Sequence, residues 1–291
     1  MTERIGEWIR YETPADQIAR VVMDRPDARN AQDLQMTYDL NEAFDKAVAD
    51  DDIKVIILAG EDPHFSSGHD LSGDTSKTWR DFPVVSTWAG FDLPGAEGRF
   101  GREHEIYLDI TERWRNLSKP MIAEVQGKCI AGGLMLAWAC DLIVASDDAA
   151  FRDPVLEMGV CGVEFFSHPW EIGPRKAKEW LMTADWLTAE QALALGMLNH
   201  VVPRAELGDF TLDLAKRIAN KPAFALKMTK EAVNQTMDAM GRKNAMQQVF
   251  SLHQLCHSHN QQVFNMAVDP TGFPEAVRKS LERKAAEAKN A

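Results

Sequence analysis

Cysteine is scarce in this chain, and its placement indicates neither a disulfide framework nor a redox motif. The 291 residues include four cysteines, and no two of them form a CxxC pair. They stand mostly in apolar surroundings, which favours buried, reduced thiols: Cys129, Cys140, Cys161 and Cys256. We therefore expect a reduced protein of the cytoplasm.

Basic residues are also fewer than acidic ones. The sequence has 32 Lys and Arg against 44 Asp and Glu, a net charge of −12. A net-acidic surface repels nucleic acid and anionic membrane, so we expect neither as a partner. The longest apolar run, residues 129–140, includes glycines and is too short to cross a bilayer, and the polar N-terminus shows no signal-peptide pattern. An anionic ligand would have to be held by local groups such as backbone N–H groups and helix N-termini.

Strand and helix signals alternate along the first part of the chain. Residues 8–11 and 18–23 flank a turn at Pro14, which predicts a hairpin. Residues 34–48 have apolar side chains three and four apart, the spacing of an amphipathic helix. The continuous β-branched run at residues 55–60 is typical of a strand that is buried on both faces.

A second strand–helix–strand unit follows, and then the chain becomes helical. We predict strands at 121–125 and 142–145, around a helix at 134–140 that is apolar on every side. Further helices are predicted at 188–195, where Thr188 and Gln191 fit a capping box, and at 209–220, 223–240 and 244–262, before a charged tail at 275–289. Residues 71–100 are the least regular part, and a loop of this length is usually functional or mobile.

Two glycine-containing segments stand where a strand ends. The first is Phe65 to Leu71 (FSSGHDL), and the second is Gly127 to Gly133 (GKCIAGG). Glycine lets a ligand approach the backbone closely. A helix that begins at Gly132 leaves several N–H groups without intrahelical partners. Taken singly, each segment is also a common structural turn.

In their order along the chain, these segments resemble the enoyl-CoA hydratase/isomerase (crotonase) superfamily. The resemblance covers some 200 residues, and it is carried by DRPDARNA at residues 24–31, FSSGHDL, KPMIAEVQGKCIAGGLMLAWACDLIVAS at 119–146, ADWLTAEQA at 184–192, and LGMLNHVVP at 195–203. The segment KPAFALKMTKEA at 221–232 also fits.

The resemblance implies a fold, a site and an assembly. It implies an α/β fold, with a spiral of ββα units over residues 1–205 and a helical C-terminal region over 206–291 that covers the acyl pocket and forms a homotrimer, or a hexamer of two stacked trimers. The backbone N–H groups of His69 and Gly132 would form an oxyanion hole, with no role assigned to the His69 imidazole. The substrate would be an acyl-CoA, with no separate cofactor and no metal, and the implied coenzyme A contacts are Arg29, Ala31, Ser67 and Asp70.

The sequence departs from the family pattern at the two glutamates that hydratases use to activate water. Alignment of the motifs puts Met135 at the first position and Val155 at the second. Neither side chain can transfer a proton, and hydration needs an acid and a base. Ordinary enoyl-CoA hydration is therefore not expected.

Three residues are candidates for the missing acid–base role. Glu164 lies close to the position of the isomerase acid, among Val and Phe residues that would raise its pKa by desolvation; a helix first-turn residue is the plainer interpretation. Asp153 is the second candidate, or a turn residue before Pro154. His168 is the third, or a buried histidine without a catalytic role.

Other polar clusters receive structural interpretations. Glu103 lies with His104, Glu105 and Asp109 on a predicted helix, where charges usually form a solvated face. His253 and His257 are four apart, as zinc ligands can be, with Cys256 and His259 nearby. No third ligand follows at a motif spacing, so we do not expect a metal.

Two classes of function remain. The first is an enzyme that acts through a thioester enolate, as an isomerase, a hydratase with relocated acids or a C–C hydrolase. The second is a protein that binds acyl-CoA without turnover, which the loss of both hydratase glutamates favours.

Overall fold

The protein is described from a computed structural model, which covers residues 2–71, 78–275, 277–279, 281 and 283. Its strands are β1 (Thr2–Ile5), β2 (Ile9–Ala15), β3 (Ile18–Met23), β4 (Val55–Gly60), β5 (Met121–Val125), β6 (Lys128–Ile130), β7 (Leu142–Ser146), β8 (Ala150–Arg152), β9 (Leu187–Thr188) and β10 (His200–Val202). Its α-helices are α1 (Leu34–Ala49), α2 (Gly95–Glu103), α3 (Ile110–Arg115), α4 (Gly132–Ala139), α5 (His168–Ile172), α6 (Pro174–Thr183), α7 (Ala189–Ala194), α8 (Leu207–Ala219), α9 (Ala223–Ala239) and α10 (Arg242–Phe264).

The strands form two sheets. The larger has the order β1-β2-β3-β4-β5-β7-β10. Its first three strands are antiparallel, and β3, β4, β5, β7 and β10 pair in parallel. The smaller has the order β6-β8-β9. Because β5 and β6 follow each other in the chain but belong to different sheets, the chain passes from one sheet to the other next to Gly127, at the edge where α4 begins.

Two apolar clusters hold the layers together. All six residues of β4 are buried, as its β-branched sequence predicts. Every residue of α4 is buried as well, and this helix joins the cluster on one face of the large sheet. On the opposite face, α8 packs Leu207, Leu214 and Ala215 against Val55 and other apolar residues of the sheet.

The segment between β4 and β5 includes a continuous helical stretch with an irregular middle. Between α2 and α3, residues His104–Asp109 form a π-helical segment. In a π-helix, each N–H group bonds to the carbonyl oxygen five residues earlier. Such segments are rare, and they frequently occur at functional sites. Glu103 and Tyr107 therefore have orientations that a regular α-helix would not give them.

Most of the predicted elements are confirmed, with ends shifted by a few residues. The hairpin, the helix after Asp33, the buried strands and the three long C-terminal helices are present, and Thr188 and Gln191 form the predicted capping box. The stretch at residues 71–100 was predicted to be irregular, but α2 begins within it, at Gly95. Residues 72–77 of this stretch lie outside the described part of the chain, as does most of the charged tail. No helix in the described residues is both long and apolar enough to cross a membrane.

The cysteines differ in part from the prediction. All four are free thiols, but Cys129 alone is buried, and the other three are partly exposed. Cys140 directly follows α4, Cys161 lies in a bend, and Cys256 lies within α10, so their apolar sequence neighbours do not give complete burial.

Candidate active site

The two glycine-containing segments lie side by side. Ser66 donates its N–H to the Lys128 carbonyl at 3.2 Å, and Ile130 donates to the Ser66 carbonyl at 3.0 Å. A Cβ on Gly133 would be 2.8 Å from the Ser66 carbonyl oxygen. Glycine is required there because the two backbones approach more closely than a side chain allows.

The N–H groups of His69 and Gly132 are available for a ligand. Gly132 is the first residue of α4, where a helix has no internal acceptor for its N–H groups. Within the described part of the chain, neither N–H donates a hydrogen bond to another protein group. The preceding residue, Ala131, has the positive φ of 48°, which turns the chain sharply into the helix.

The His69 imidazole lies inside this site. Its ring stacks on Tyr107 with 3.8 Å between the centroids, and a Cβ on Gly132 would be 2.5 Å from its Cε1 atom. Its Nε2 atom is 3.3 Å from Glu164 Oε2. Local sequence offers no reason to assign the imidazole a role, because its partners lie far away along the chain.

Glu164 is buried between two histidines. Its Oε2 atom faces His69, and its Oε1 atom lies 3.4 Å from His253 Nε2. Burial by itself raises the pKa of Glu164, but the charges and hydrogen bonds of His253 and His69 outweigh burial and hold the pKa well below its usual value. The expected rise in pKa is therefore wrong. This lowered pKa favours the ionised form of the Glu164 carboxyl group.

Glu103 is a member of this site that the sequence interpretation missed. It ends α2, and its Oε2 atom lies 3.6 Å from His257 Nε2 and 3.9 Å from His253 Nε2. Burial and the nearby Glu164 charge raise the pKa of Glu103 to about 7. The expectation of a solvated helix face is wrong for this residue, because helix α10 covers it. No local sequence pattern reports that contact.

His253 and His257 complete the group. Their Nε2 atoms are 2.9 Å apart, while the Nδ1 atoms face the carbonyl oxygens of Gly162 and Ala267 at 2.8 and 2.6 Å. Burial lowers the pKa of His253, but the Glu164 carboxylate outweighs this and raises it. Burial and the charge of His253 lower the pKa of His257 to about 4.

Comparison with known proteins gives the family. The sequence profile described as enoyl-CoA hydratase/isomerase matches residues 13–85 and 89–280. EchA13, a Mycobacterium tuberculosis protein named as an enoyl-CoA hydratase, is 48% identical over 259 residues, which are 87% of this chain and 81% of that protein. The chain belongs to the enoyl-CoA hydratase/isomerase family.

Solved structures of the family share the fold. A probable enoyl-CoA hydratase from Mycobacterium smegmatis matches with a TM-score of 0.81 and 46% identity, over 90% of this chain and 99% of that one. One from Mycobacterium thermoresistibile matches with a TM-score of 0.82 and 44% identity over the same shares. The predicted crotonase fold with a helical C-terminal region is thereby confirmed.

The segment expected to contact coenzyme A in this enoyl-CoA hydratase/isomerase family member is assembled next to His69. Ser67 donates its N–H to the Arg29 carbonyl at 3.0 Å, and Gln32 and His69 pair by a single β-bridge. Arg29 is exposed and Ala31 is buried. The Asp70 carboxylate accepts a hydrogen bond from Arg25 at 2.7 Å, so this carboxylate helps to hold the segment.

The two positions expected to carry the hydratase glutamates of the family are apolar surfaces here. Met135 is buried in α4, with 2% of its surface exposed. Val155 packs against the same apolar cluster. Neither position offers a proton acceptor.

The two reserve candidates, Asp153 and His168, bind each other. His168 Nε2 lies 2.8 Å from Asp153 Oδ2, and both side chains are at most 1% exposed. Asp153 also accepts the Val163 N–H at 3.1 Å, and the His168 ring packs on Trp138. This pair lies within the core and supports the turn that presents Glu164.

Proposed function

We propose that this protein is an enzyme that forms a thioester enolate from an acyl-CoA, with the carbonyl oxygen between the N–H groups of His69 and Gly132. Glu164 transfers the proton. One observation carries the proposal: the Glu164 carboxylate lies 3.3 Å from the side chain of His69, the residue whose backbone supplies one of the two donors. Coenzyme A is part of the substrate, with its nucleotide near Arg29 and Ala31, and the reaction takes place in the cytoplasm.

The chemistry requires these two components together. Removal of a proton next to a thioester moves negative charge to the carbonyl oxygen, and two preorganised N–H groups stabilise that charge by about 3 kcal/mol each. A positioned carboxylate that takes the proton contributes about a hundredfold to ten-thousandfold in rate. Neither step needs the glutamates that Met135 and Val155 replace.

Proton transfer by one carboxylate is the chemistry of an isomerase, and this reaction fits the site best. Hydration with relocated acids and C–C hydrolysis also pass through a thioester enolate, which forms when water adds to the β-carbon or when the carbon chain is cleaved. Both also require an activated water, so their products identify them. Incubation of the protein with a panel of acyl-CoAs, followed by chromatography and mass spectrometry, separates a product of unchanged mass and altered retention (isomerisation) from the gain of one water or cleavage of the chain.

The second candidate is a protein that binds acyl-CoA without turnover. The apolar residues at positions 135 and 155 favour it. Titration with a 3-enoyl-CoA discriminates between the two, because a gain of the conjugated enoyl absorbance reports isomerisation and saturable binding without that gain reports a carrier.

The decisive substitution is Glu164→Gln, which keeps the shape of the side chain and removes its proton acceptor. We expect kcat for the active acyl-CoA to fall at least about a hundredfold while the substrate still binds. Glu171→Gln is the matched control, because Glu171 is also a carboxyl group removed from water but its partner is Ser167. Near-full activity of the Glu164 variant, or rapid hydration of crotonyl-CoA by the wild type, would overturn the assignment.

A further inference from the structure

Four side chains from three separate parts of the chain direct their ligand atoms at one point. Glu103, Glu164, His253 and His257 each offer one oxygen or nitrogen, and these atoms all lie within 4.8 Å of one another. Glu103 ends α2, Glu164 follows the turn at Gly162, and the histidines are one turn apart on α10. The sequence alone offered the two histidines without a third ligand, and the fold adds two carboxylates.

The hydrogen bonds of the histidines direct both Nε2 atoms at each other. A carbonyl oxygen can only accept, so His253 Nδ1 donates to Gly162 and His257 Nδ1 donates to Ala267. The two Nε2 atoms face each other at 2.9 Å, so a proton or a metal ion lies between them. A proton on His253, whose pKa the Glu164 carboxylate raises, bridges only the two rings, whereas a metal ion binds both nitrogens and both carboxylates at once.

Each of the four groups also contacts a polar group outside the cluster. Metal-binding histidines almost always donate their outer N–H to a carbonyl or carboxylate, and metal-binding carboxylates are themselves hydrogen-bonded. Gln254 donates to Glu103 Oε2, and Arg99 in turn donates to Gln254 at 3.3 Å. His69 lies against the outer oxygen of Glu164. Each of the four groups therefore has a polar partner outside the cluster.

We propose that Glu103, Glu164, His253 and His257 bind one divalent transition-metal ion, with Zn²⁺ as the best fit. Two carboxylates balance a charge of two, and a set of two imidazoles and two carboxylates suits zinc. Tetrahedral zinc with bonds of about 2.0–2.1 Å places its ligand atoms about 3.3 Å apart. The separations here of 2.9, 3.4, 3.6 and 3.9 Å lie on both sides of that value.

The ion site and the proposed acyl-CoA chemistry share Glu164 but use different oxygens. The metal faces Oε1, which lies near His253, and Oε2 remains directed at His69. Binding of the ion does not require an acyl-CoA. The metal proposal can therefore fail while the enolate proposal stands, and the reverse.

The test is direct binding to the full-length protein after treatment with a chelator. Isothermal titration with Zn²⁺ should give one ion per chain, and Co²⁺ in place of Zn²⁺ should give a visible absorption spectrum of a four-coordinate site. His257→Ala and Glu103→Gln should each weaken binding at least about tenfold. His259→Ala is the matched control, because His259 is an exposed histidine on the same helix, and its affinity should equal that of the wild type.

Circular dichroism establishes that each protein is folded, and Glu103→Gln preserves the side-chain shape if His257→Ala does not fold. Two results would overturn the proposal. One is a folded wild type that takes up neither ion, in which case protons alone hold the four groups together. The other is binding that persists at full affinity in the folded His257 or Glu103 variant, or that disappears in the His259 variant.

Discussion

Gly132 combines two requirements in one residue, and substitutions can separate them. Its N–H is one of the two proposed oxyanion donors, and its missing side chain makes room for the His69 ring, which a Cβ would approach to 2.5 Å. Gly132→Ala adds only the Cβ, whereas Gly132→Pro adds a Cβ and also removes the N–H. We expect both to displace His69, and the proline variant to lose at least about another hundredfold in kcat.

The measurement is the steady-state rate of both variants with one acyl-CoA, together with thermal unfolding. Proline is tolerated at the first position of a helix, but it restricts the residue before it to extended conformations, and Ala131 has φ 48° and ψ −112°. The rates are therefore compared only after thermal unfolding shows that both variants are folded. Equal activity of the alanine and proline variants would show that the Gly132 N–H carries no part of the reaction.

At the residue scale, the sequence predicted which residues lie in the site better than it predicted which side chains surround them. The motif order led to His69, Gly132 and Glu164, which the structure brings together. The pKa direction of Glu164 could not be predicted, because its neighbours in sequence are apolar and the two histidines beside it come from distant segments. Glu103 was missed for the same reason: its partners on α10 are about 150 residues away.

At the scale of elements, α10 is anchored by Phe250. Phe250 is fully buried, so its side chain belongs to the core and is not available to a partner subunit. Its ring contacts Phe100 and His104 with centroid distances of 5.1 and 5.2 Å. These contacts fix α10 against α2 and the π-helical segment.

We therefore expect Phe250→Ala to lower the free energy of unfolding by about 3–5 kcal/mol. Ser251→Ala, at the exposed next position, should change it by less than about 0.5 kcal/mol. Urea unfolding followed by circular dichroism at equal protein concentration measures both values. A loss below about 1 kcal/mol for the phenylalanine variant would mean that α10 is held by other contacts.

Regular elements were predictable, and the irregular one was not. Apolar residues recur with a period of two in strands and of 3.6 in helices, and these periods predicted where the elements lie along the chain. The π-helical segment His104–Asp109 leaves no such period, since it changes the helical register for only one turn. The orientation of Glu103 and Tyr107 follows from that segment, so it had to await the structure.

At the scale of the whole molecule, α9 exposes apolar side chains on two sides. Phe224 and Met228 lie one turn apart on one apolar face, Val233 lies on the opposite side, and Met240 follows the end of the helix. All four are between 45% and 72% exposed. Exposed apolar surface of this extent usually meets a partner, and we predict a homotrimer, or a hexamer of two trimers. Light scattering at micromolar concentration should report a particle several times the 32.6 kDa of one chain.

The variant Phe224→Asp should shift that particle towards smaller assemblies, because it places a charge on the apolar face. Met182→Asp is the control, since Met182 is 70% exposed on a different helix. A wild type of 32.6 kDa, or equal effects of the two substitutions, would contradict assembly through α9.

The long separation between Glu164 and His253 has a consequence for protein synthesis. At about 5–20 residues per second, a ribosome needs on the order of ten seconds to reach the second residue after the first. During that interval the nascent spiral can enclose Glu103 and Glu164 while the helix that covers them does not yet exist. The newly made chain thus exposes both carboxylates to water until α10 has been made and covers them.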